Sequence, residues 1–163
     1  MCPTGPVFRG GHLVTDQLLR LPDTASDRVL TGIRRFWESR AKFEARGQLF
    51  KRGVLLWGPP GGGKTATITL LIHDLIQQDQ GLVVLATHPE IVMLGLHVLR
   101  LIEPDRPLIC ILEDLDELVH HHGEKPWLAL LDGENQVNNV CHVASTNYPE
   151  RLDARFINRT SRF

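Results

Sequence analysis

The 163-residue sequence contains few cysteines, few aromatic residues and almost no net charge. Its three cysteines, Cys2, Cys110 and Cys141, lie far apart and form neither a disulfide framework nor a metal-ligand spacing, which favours a reducing, intracellular setting. The 18 basic and 19 acidic residues give a formal net charge of -1. This balance argues against binding nucleic acid by bulk electrostatic attraction, although it allows a local basic patch.

Long apolar runs are also missing. No stretch approaches the length of a membrane span, and the N-terminal segment MCPTGPVFRGGH lacks the apolar core of a signal peptide. We therefore expect a soluble, cytoplasmic protein. A chain of this length can form one domain that buries roughly two-thirds of its surface on folding.

Short apolar segments alternate with helical patterns along most of the chain. Strands are predicted at 53–58, 82–87, 108–112 and 140–146, and helices at 27–46, 89–102 and 127–132. A further helix carries Ile68, Leu71, Ile72, Leu75 and Ile76 on one face and ends near Gly81. Uniformly apolar strands that alternate with helices are typical of a parallel sheet covered on both faces. The predicted fold is therefore a doubly wound α/β domain over residues 28–163, preceded by an irregular, Pro- and Gly-rich arm over residues 1–27.

The segment GPPGGGKT follows the first predicted strand and matches the pattern G-x-x-x-x-G-K-[ST] in full. Glycines allow several backbone N–H groups to converge on a phosphate, and the positive end of the following helix faces the same anion. Lys64 can reach the terminal phosphates of a nucleotide, and the Thr65 hydroxyl can hold Mg²⁺. The predicted nucleotide-binding residues are Gly58, Pro59, Pro60, Gly61, Gly62, Gly63, Lys64, Thr65 and Ala66.

Two acids, Glu113 and Asp114, end the apolar strand in LICILEDLDEL. Ligands of open α/β sheets bind at such carboxyl ends. Because adjacent strand residues point to opposite faces, the two acids should have separate roles. Glu113 is predicted to support the Mg²⁺, through water, and Asp114 to polarise the attacking water. A register that uses Asp116 and Glu117 instead would carry the strand through two charges and is disfavoured, while a solvated strand end without chemistry stays an alternative.

The last predicted strand ends in Ser-Thr-Asn, followed by an arginine-rich tail. Asn147 can orient the attacking water or contact the terminal phosphate, or it can simply form a turn before Pro149. The tail RLDARFINRTSRF can be a solvated basic face, a source of an arginine for a neighbouring subunit's site, or a nucleic-acid patch.

In order and spacing, FKRGVLLWGPPGGGKT, ILEDLDEL, LLDG and ASTNYPERLDARFINRTSRF resemble the AAA family of ATPases, over about residues 30–163. The Glu-Asp order resembles the branch that contains the mitochondrial respiratory-complex assembly ATPases and similar bacterial and phage proteins. The resemblance implies a P-loop NTPase fold and Mg²⁺-dependent ATP binding and hydrolysis. It also implies a hexameric or otherwise ring-shaped homo-oligomer that remodels a macromolecular partner, expected to be a protein.

The same resemblance assigns roles to individual residues. It makes Lys64 and Thr65 the first (Walker A) motif, Glu113 and Asp114 the second (Walker B) motif, and Asn147 the first sensor. Arg159 and Arg162 would be the arginine fingers, and one extra residue in the tail leaves open which of the two acts. The family's fifth core strand and helical lid should follow Phe163, so the chain is expected to lack them. Two other functions remain open: a DNA-associated loader or initiator, and a nucleotide-binding scaffold that does not hydrolyse.

Three further segments carry weaker predictions. Residues 93–95, Met-Leu-Gly, stand where the family often has an aromatic pore loop, but without an aromatic a packed helix face is favoured. The histidines at 120–122 predict a solvated loop rather than a zinc site, and Trp127 predicts a core position. Thr87 is predicted either to hold the catalytic acid in an inactive pose or to cap the following helix.

Overall fold

The computed structural model describes residue 18, residues 24–132 and residues 136–160, the side chains of 158–160 excepted. The predicted N-terminal arm therefore lies almost entirely outside the described residues. In chain order the elements are α1 (Ala25–Glu38), α2 (Arg40–Glu44), β1 (Lys51–Trp57), α3 (Lys64–Asp79), β2 (Leu82–Leu85), α4 (Pro89–Ile102), β3 (Leu108–Leu112), α5 (Leu115–His122), α6 (Glu124–Asp132), β4 (Val140–Thr146), a 3-10 turn (Pro149–Arg151) and α7 (Ala154–Thr160).

The strands form one parallel sheet in the order β1-β4-β3-β2. Since the strands are parallel, all their carboxyl ends lie at one edge, with Trp57 beside Thr146 and Leu112 beside Ala144. Neighbouring strands lie about 4.8 Å apart, so β1 and β3 lie about 10 Å apart on either side of β4. The residues that follow β4 therefore lie between the residues that follow β1 and those that follow β3.

Helices cover both faces of this sheet. On one face, α1 and α3 pack Leu30, Phe36 and Leu71 against Ile111 and Val143 of the strands. On the other face, α4, α5, α6 and α7 pack against the alternate strand residues, and Trp127 and Phe156 are fully buried there. The predicted doubly wound α/β architecture is confirmed, as is the core position of Trp127.

The single helix predicted over 27–46 is wrong at its centre. Ser39 separates α1 from α2, because its hydroxyl and its N–H both donate to the Phe36 carbonyl, at 2.7 and 2.9 Å. This bond to the residue three positions earlier closes α1 with a tight turn. The start of α1 at Ala25 lies two residues before the predicted one.

The prediction of a loop at the three histidines is also wrong. His120, His121 and His122 form the last turn of α5, which ends at Gly123 with φ 79°. Leu115 and Val119, one helical turn apart, are buried and hold α5 on the core. Within the described part of the chain, no group of three His, Cys, Asp or Glu side chains is arranged to hold a metal ion.

Two further findings bear on the sequence predictions. Cys110 and Cys141 are free and buried, and burial raises the pKa of each thiol to about 12, so both stay protonated. None of the helices among the described residues is both long and apolar enough to span a membrane.

Candidate functional site

The phosphate loop, residues 58–65, joins the end of β1 to the first turn of α3 and owes its shape to glycines. Gly61 and Gly63 have φ values of 75° and 77°, in the left-handed region that costs other residues strain. A Cβ on Gly62 would lie 3.0 Å from the Pro59 carbonyl oxygen. The loop's backbone thus favours glycine at each of these three positions.

Lys64 is folded back over this loop. Its ammonium Nζ donates to the carbonyl oxygens of Gly58 and Pro59, at 2.8 and 2.9 Å. Its positive charge is therefore held at the loop, and the N-terminus of α3, a 16-residue helix, adds a positive dipole end at the same place. Thr65 is exposed at the second position of α3. A glycine loop, a helix N-terminus and a lysine together suit an anion such as a triphosphate.

The two predicted acids lie beyond the strand rather than within it. β3 ends at Leu112, and both Glu113 and Asp114 are exposed in the turn that leads into α5. The argument from strand alternation therefore does not apply to them. Asp114 precedes α5 with φ 48° and ψ 55°, a left-handed conformation that Asp and Asn tolerate better than most residues.

Asn147 lies close to Asp114. Its side-chain amide Nδ2 lies 3.5 Å from Asp114 Oδ1, at the long limit for a hydrogen bond. The Asp114 N–H donates to the Ser145 hydroxyl at 3.3 Å, so the turn after β3 is also tied to the end of β4 through the backbone. The fold thus brings together the phosphate loop, Asn147 and the two acids at the carboxyl ends of three adjacent strands.

The sequence disfavours a catalytic register that uses Asp116, but the structure shows this residue buried and hydrogen-bonded beside the candidate site. It lies on α5, is 7% exposed, and accepts a hydrogen bond from the Thr146 hydroxyl at 2.6 Å. Arg151 NH1 lies 3.7 Å from its other carboxylate oxygen. Its partner Thr146 is 30 residues away in sequence, so no local pattern signals the contact.

The structure describes side-chain contacts for two arginines of the tail, Arg151 and Arg155, but not for Arg159 or Arg162. Arg151 stacks over the Tyr148 ring, with its guanidinium carbon 3.9 Å from the ring centroid. Arg155 bonds Asp153 and Glu124, both at 2.8 Å. The backbone of Arg159 lies in α7, but its side chain is outside the description, and Arg162 lies outside the described residues. The finger role of Arg159 or Arg162 stays a prediction.

The remaining predicted elements lie near the amino end of α4. Met93, Leu94 and Gly95 are inside this helix, where Met93 packs against the core and Leu94 is exposed. The Thr87 hydroxyl lies 3.2 Å from His88 Nδ1, and α4 has no side-chain cap. Thr87 therefore neither caps α4 nor contacts the acids.

The fold and the loop define a nucleotide-binding α/β protein of the P-loop class. The model of one family within that class, "ATPase family associated with various cellular activities (AAA)", matches residues 54–163. The chain belongs to the AAA family, and membership implies ATP binding and hydrolysis.

Individual relatives agree with this family. The ATP-dependent zinc metalloprotease FtsH 1 of Conexibacter woesei is 27% identical over 153 residues, covering 80% of this chain and 22% of that protein. The probable mitochondrial chaperone bcs1 of Schizosaccharomyces pombe is 26% identical over 168 residues, covering 90% and 35%. The solved structure of PCH-2 from C. elegans shares the fold, with a TM-score of 0.56 at 16% identity over 85% of this chain and 42% of that one. The chain thus spans well under half the length of each of these proteins.

Proposed function

We propose that this chain binds ATP with Mg²⁺ at the carboxyl edge of its sheet and hydrolyses it to drive the remodelling of a macromolecular partner, a protein in the first instance. The observation that carries this proposal is the convergence of the phosphate loop, Asn147 and the acids Glu113 and Asp114 on adjacent strand ends. Family membership supports the nucleotide and the reaction. The positions of Lys64, Asp114 and Asn147 support the roles proposed for them below.

The triphosphate occupies the phosphate loop in this proposal. Backbone N–H groups of the loop and of the first turn of α3 donate to phosphate oxygens. Lys64 exchanges the carbonyls of Gly58 and Pro59 for the terminal phosphates, because a phosphate dianion is a stronger acceptor than a backbone carbonyl. The grip is therefore on the phosphates rather than on the base.

The residues around the loop also fit a magnesium ion. The Thr65 hydroxyl and the Glu113 carboxylate, the latter through water, would supply the oxygen ligands that Mg²⁺ prefers, and both residues are exposed at this edge. When bound, the ion neutralises charge on the β- and γ-phosphates.

The reaction is attack of water on the terminal phosphorus. Asp114 accepts a hydrogen bond from the water and Asn147, 3.5 Å from Asp114, donates its amide to the water or to the phosphate. A bond forms between the water oxygen and the γ-phosphorus as the bond to the β–γ bridging oxygen breaks, which releases ADP. The water's proton passes to Asp114 or to the departing phosphate.

Assembly belongs to the same proposal. We place Arg159 or Arg162 of one copy at the ATP of the next copy in a homo-oligomeric ring located in the cytoplasm. Two features support it: the buried Phe156 and the pairing of Arg155 with Glu124 dock α7, the helix that leads to these arginines, on the core. Two of the relatives are named as a protease and a chaperone, which favours a protein as the partner.

The test is the replacement Asp114→Asn, measured by phosphate release and by ATP binding. We expect turnover to fall about 100-fold or more while ATP affinity changes less than about twofold, because the carboxylate acts on water rather than on the triphosphate. Glu117→Gln, which alters an exposed acid three residues further along, in α5, is the matched control and should leave both unchanged. Unaltered turnover in Asp114→Asn would refute the role of this residue, and no phosphate release from the unaltered chain in a single turnover would refute hydrolysis.

A further inference from the structure

We infer that Asp116 and Thr146 form a positioning pair that sets Asn147 against Asp114. The catalytic consequence rests on the function proposed above, whereas the positioning itself rests only on geometry. Neither residue faces the phosphate loop as a ligand, because Asp116 is 7% exposed and Thr146 is fully buried. Their effect on the reaction must therefore pass through other residues.

The hydrogen bonds of Thr146 have a determined direction. The Thr146 hydroxyl accepts from the Tyr148 N–H at 3.0 Å, since a backbone N–H can only donate. The hydroxyl's single proton is donated to Asp116 Oδ1 at 2.6 Å, a length typical of a hydroxyl bonded to a carboxylate. One side chain thus closes a turn around Asn147 and ties that turn to α5.

The hydrogen bond between Thr146 and Asp116 also bears on the position of Asp114, because Asp116 and Asp114 are close in sequence. Asp116 lies in the first turn of α5, two positions after Asp114, which is the residue that precedes the helix. A second connection runs in parallel, because the Asp114 N–H donates to the hydroxyl of Ser145. Asn147 and Asp114 are consequently flanked by two hydrogen bonds that join the chain segments on which they lie, and their own side chains lie 3.5 Å apart.

Arg151 is a lesser partner of the same carboxylate. It lies 3.7 Å from Asp116 Oδ2, and its side chain is 61% exposed, so solvent screens the attraction. The position of Asn147 therefore depends on the buried hydrogen bond from Thr146 to Asp116 rather than on Arg151. Arg151→Gln is therefore a control that should leave Asn147 in place.

The kinetic experiment compares Thr146→Val, which removes the hydroxyl at nearly constant volume, with Thr146→Ser, which keeps it. We expect kcat to fall about 10- to 100-fold in Thr146→Val, the scale of a misplaced catalytic group, with KM within about twofold of the unaltered value. Thr146→Ser and Arg151→Gln should retain most of the activity. Because Thr146 acts through Asn147, the double variant Thr146→Val with Asn147→Ala should be no slower than Asn147→Ala alone.

A second readout does not need turnover. In the nucleotide-free, ¹⁵N-labelled full chain, the Asn147 side-chain amide signal can be assigned by its loss in Asn147→Asp. It should shift in Thr146→Val and keep its position in Thr146→Ser. An unshifted signal in Thr146→Val, or additive losses in the double variant, would overturn the inference, even if the melting temperature falls. Absence of phosphate release from the unaltered chain would count against the proposed function alone, because the amide signal still decides the positioning.

Discussion

The phosphate loop, residues 58–65, and the β4 end, residues 145–148, lie side by side, since Trp57 pairs with Thr146, yet they are held in different ways. The loop is largely exposed. Its side-chain hydrogen bonds are local in sequence, and the one that spans the most residues joins Lys64 to the Gly58 carbonyl, six positions earlier. At the β4 end, Thr146 and Ser145 are buried, and they bond residues 30 and 31 positions away, Thr146 with Asp116 and Ser145 with Asp114. Local backbone chemistry shapes the first region, and tertiary contacts shape the second.

This difference separates ligand affinity from stability. A change in the loop removes few contacts with the rest of the fold, so it should alter ATP affinity more than it alters the free energy of unfolding. A change in or beside the β4 strand disturbs a buried, long-range arrangement and should alter stability or site geometry first. The following three experiments probe that separation, in order of expected effect.

Lys64→Ala should have the largest effect. We expect ATP affinity to fall at least about 100-fold, equivalent to about 2.7 kcal/mol, because the charge that faces the terminal phosphates is lost. The melting temperature should stay within about 1 °C, since the lysine bonds only its own loop. Titration with a fluorescent ATP analogue and a thermal melt measure the two quantities. Lys125→Ala, at an exposed lysine of α6, should change neither, and retained affinity in Lys64→Ala would contradict the loop's role.

His142, in the middle of β4, should show the second largest effect, on stability. Burial, with a smaller contribution from Lys51, lowers the pKa of His142 to about 4 from an ordinary value of 6.5. The folded state thus favours the neutral ring. The contribution of His142 to folding stability is therefore fully present above pH 6.5 and is lost as the pH falls towards 4, because the unfolded chain takes up a proton that the folded chain does not. By pH 5 the loss should be about 2 kcal/mol.

The measurement is the free energy of unfolding in urea at pH 7 and pH 5. The variant His142→Gln, which cannot titrate, serves as the reference, because other groups that titrate in this range contribute equally to both proteins. The unaltered chain should lose about 2 kcal/mol more than the variant between the two pH values. Equal losses would show that His142 is not held neutral by burial.

Gly63→Ala should have the smallest effect, and it has a close control. Gly63 and Gly123 have φ values of 77° and 79°, and an added Cβ would meet nothing within 4 Å at either position. Alanine should therefore cost about 1 kcal/mol of folding stability at each site through backbone strain alone. Only Gly63→Ala should also weaken ATP binding, by about 10-fold, because the strained loop no longer presents its N–H groups correctly. Equal ATP affinity in the two variants would contradict the role of Gly63 in presenting the loop's N–H groups to the phosphates.

The same contrast explains what the sequence could predict. The phosphate loop is recognisable because glycine, lysine and threonine must stand at fixed local positions, and the parallel sheet because its strands are apolar throughout. The end of the apolar run locates Glu113 and Asp114 at the carboxyl edge of the sheet, but their place in the turn after β3, rather than in the strand, was not predicted. The catalytic roles of these residues and of Asn147 stay predictions.

Features that depend on contacts between distant residues were not predictable. The pairing of Asp116 with Thr146 joins α5 to β4, and only the fold brings these elements together. One local feature was also missed: Ser39 ends α1 by a bond to Phe36, three residues earlier, although the helical pattern of the sequence continues beyond it. The histidines at 120–122 look like a loop, yet they are helical because the buried Leu115 and Val119 hold α5 against the core.

The most direct test of the account is calorimetric titration of the folded full chain with Mg²⁺ and ATP, and in parallel with AMP. If the phosphate loop and Lys64 grip the terminal phosphates, ATP should bind saturably at one site per chain, and AMP should bind at least about 100-fold more weakly. No heat with ATP from a chain shown to be folded, or equal affinity for ATP and AMP, would contradict it.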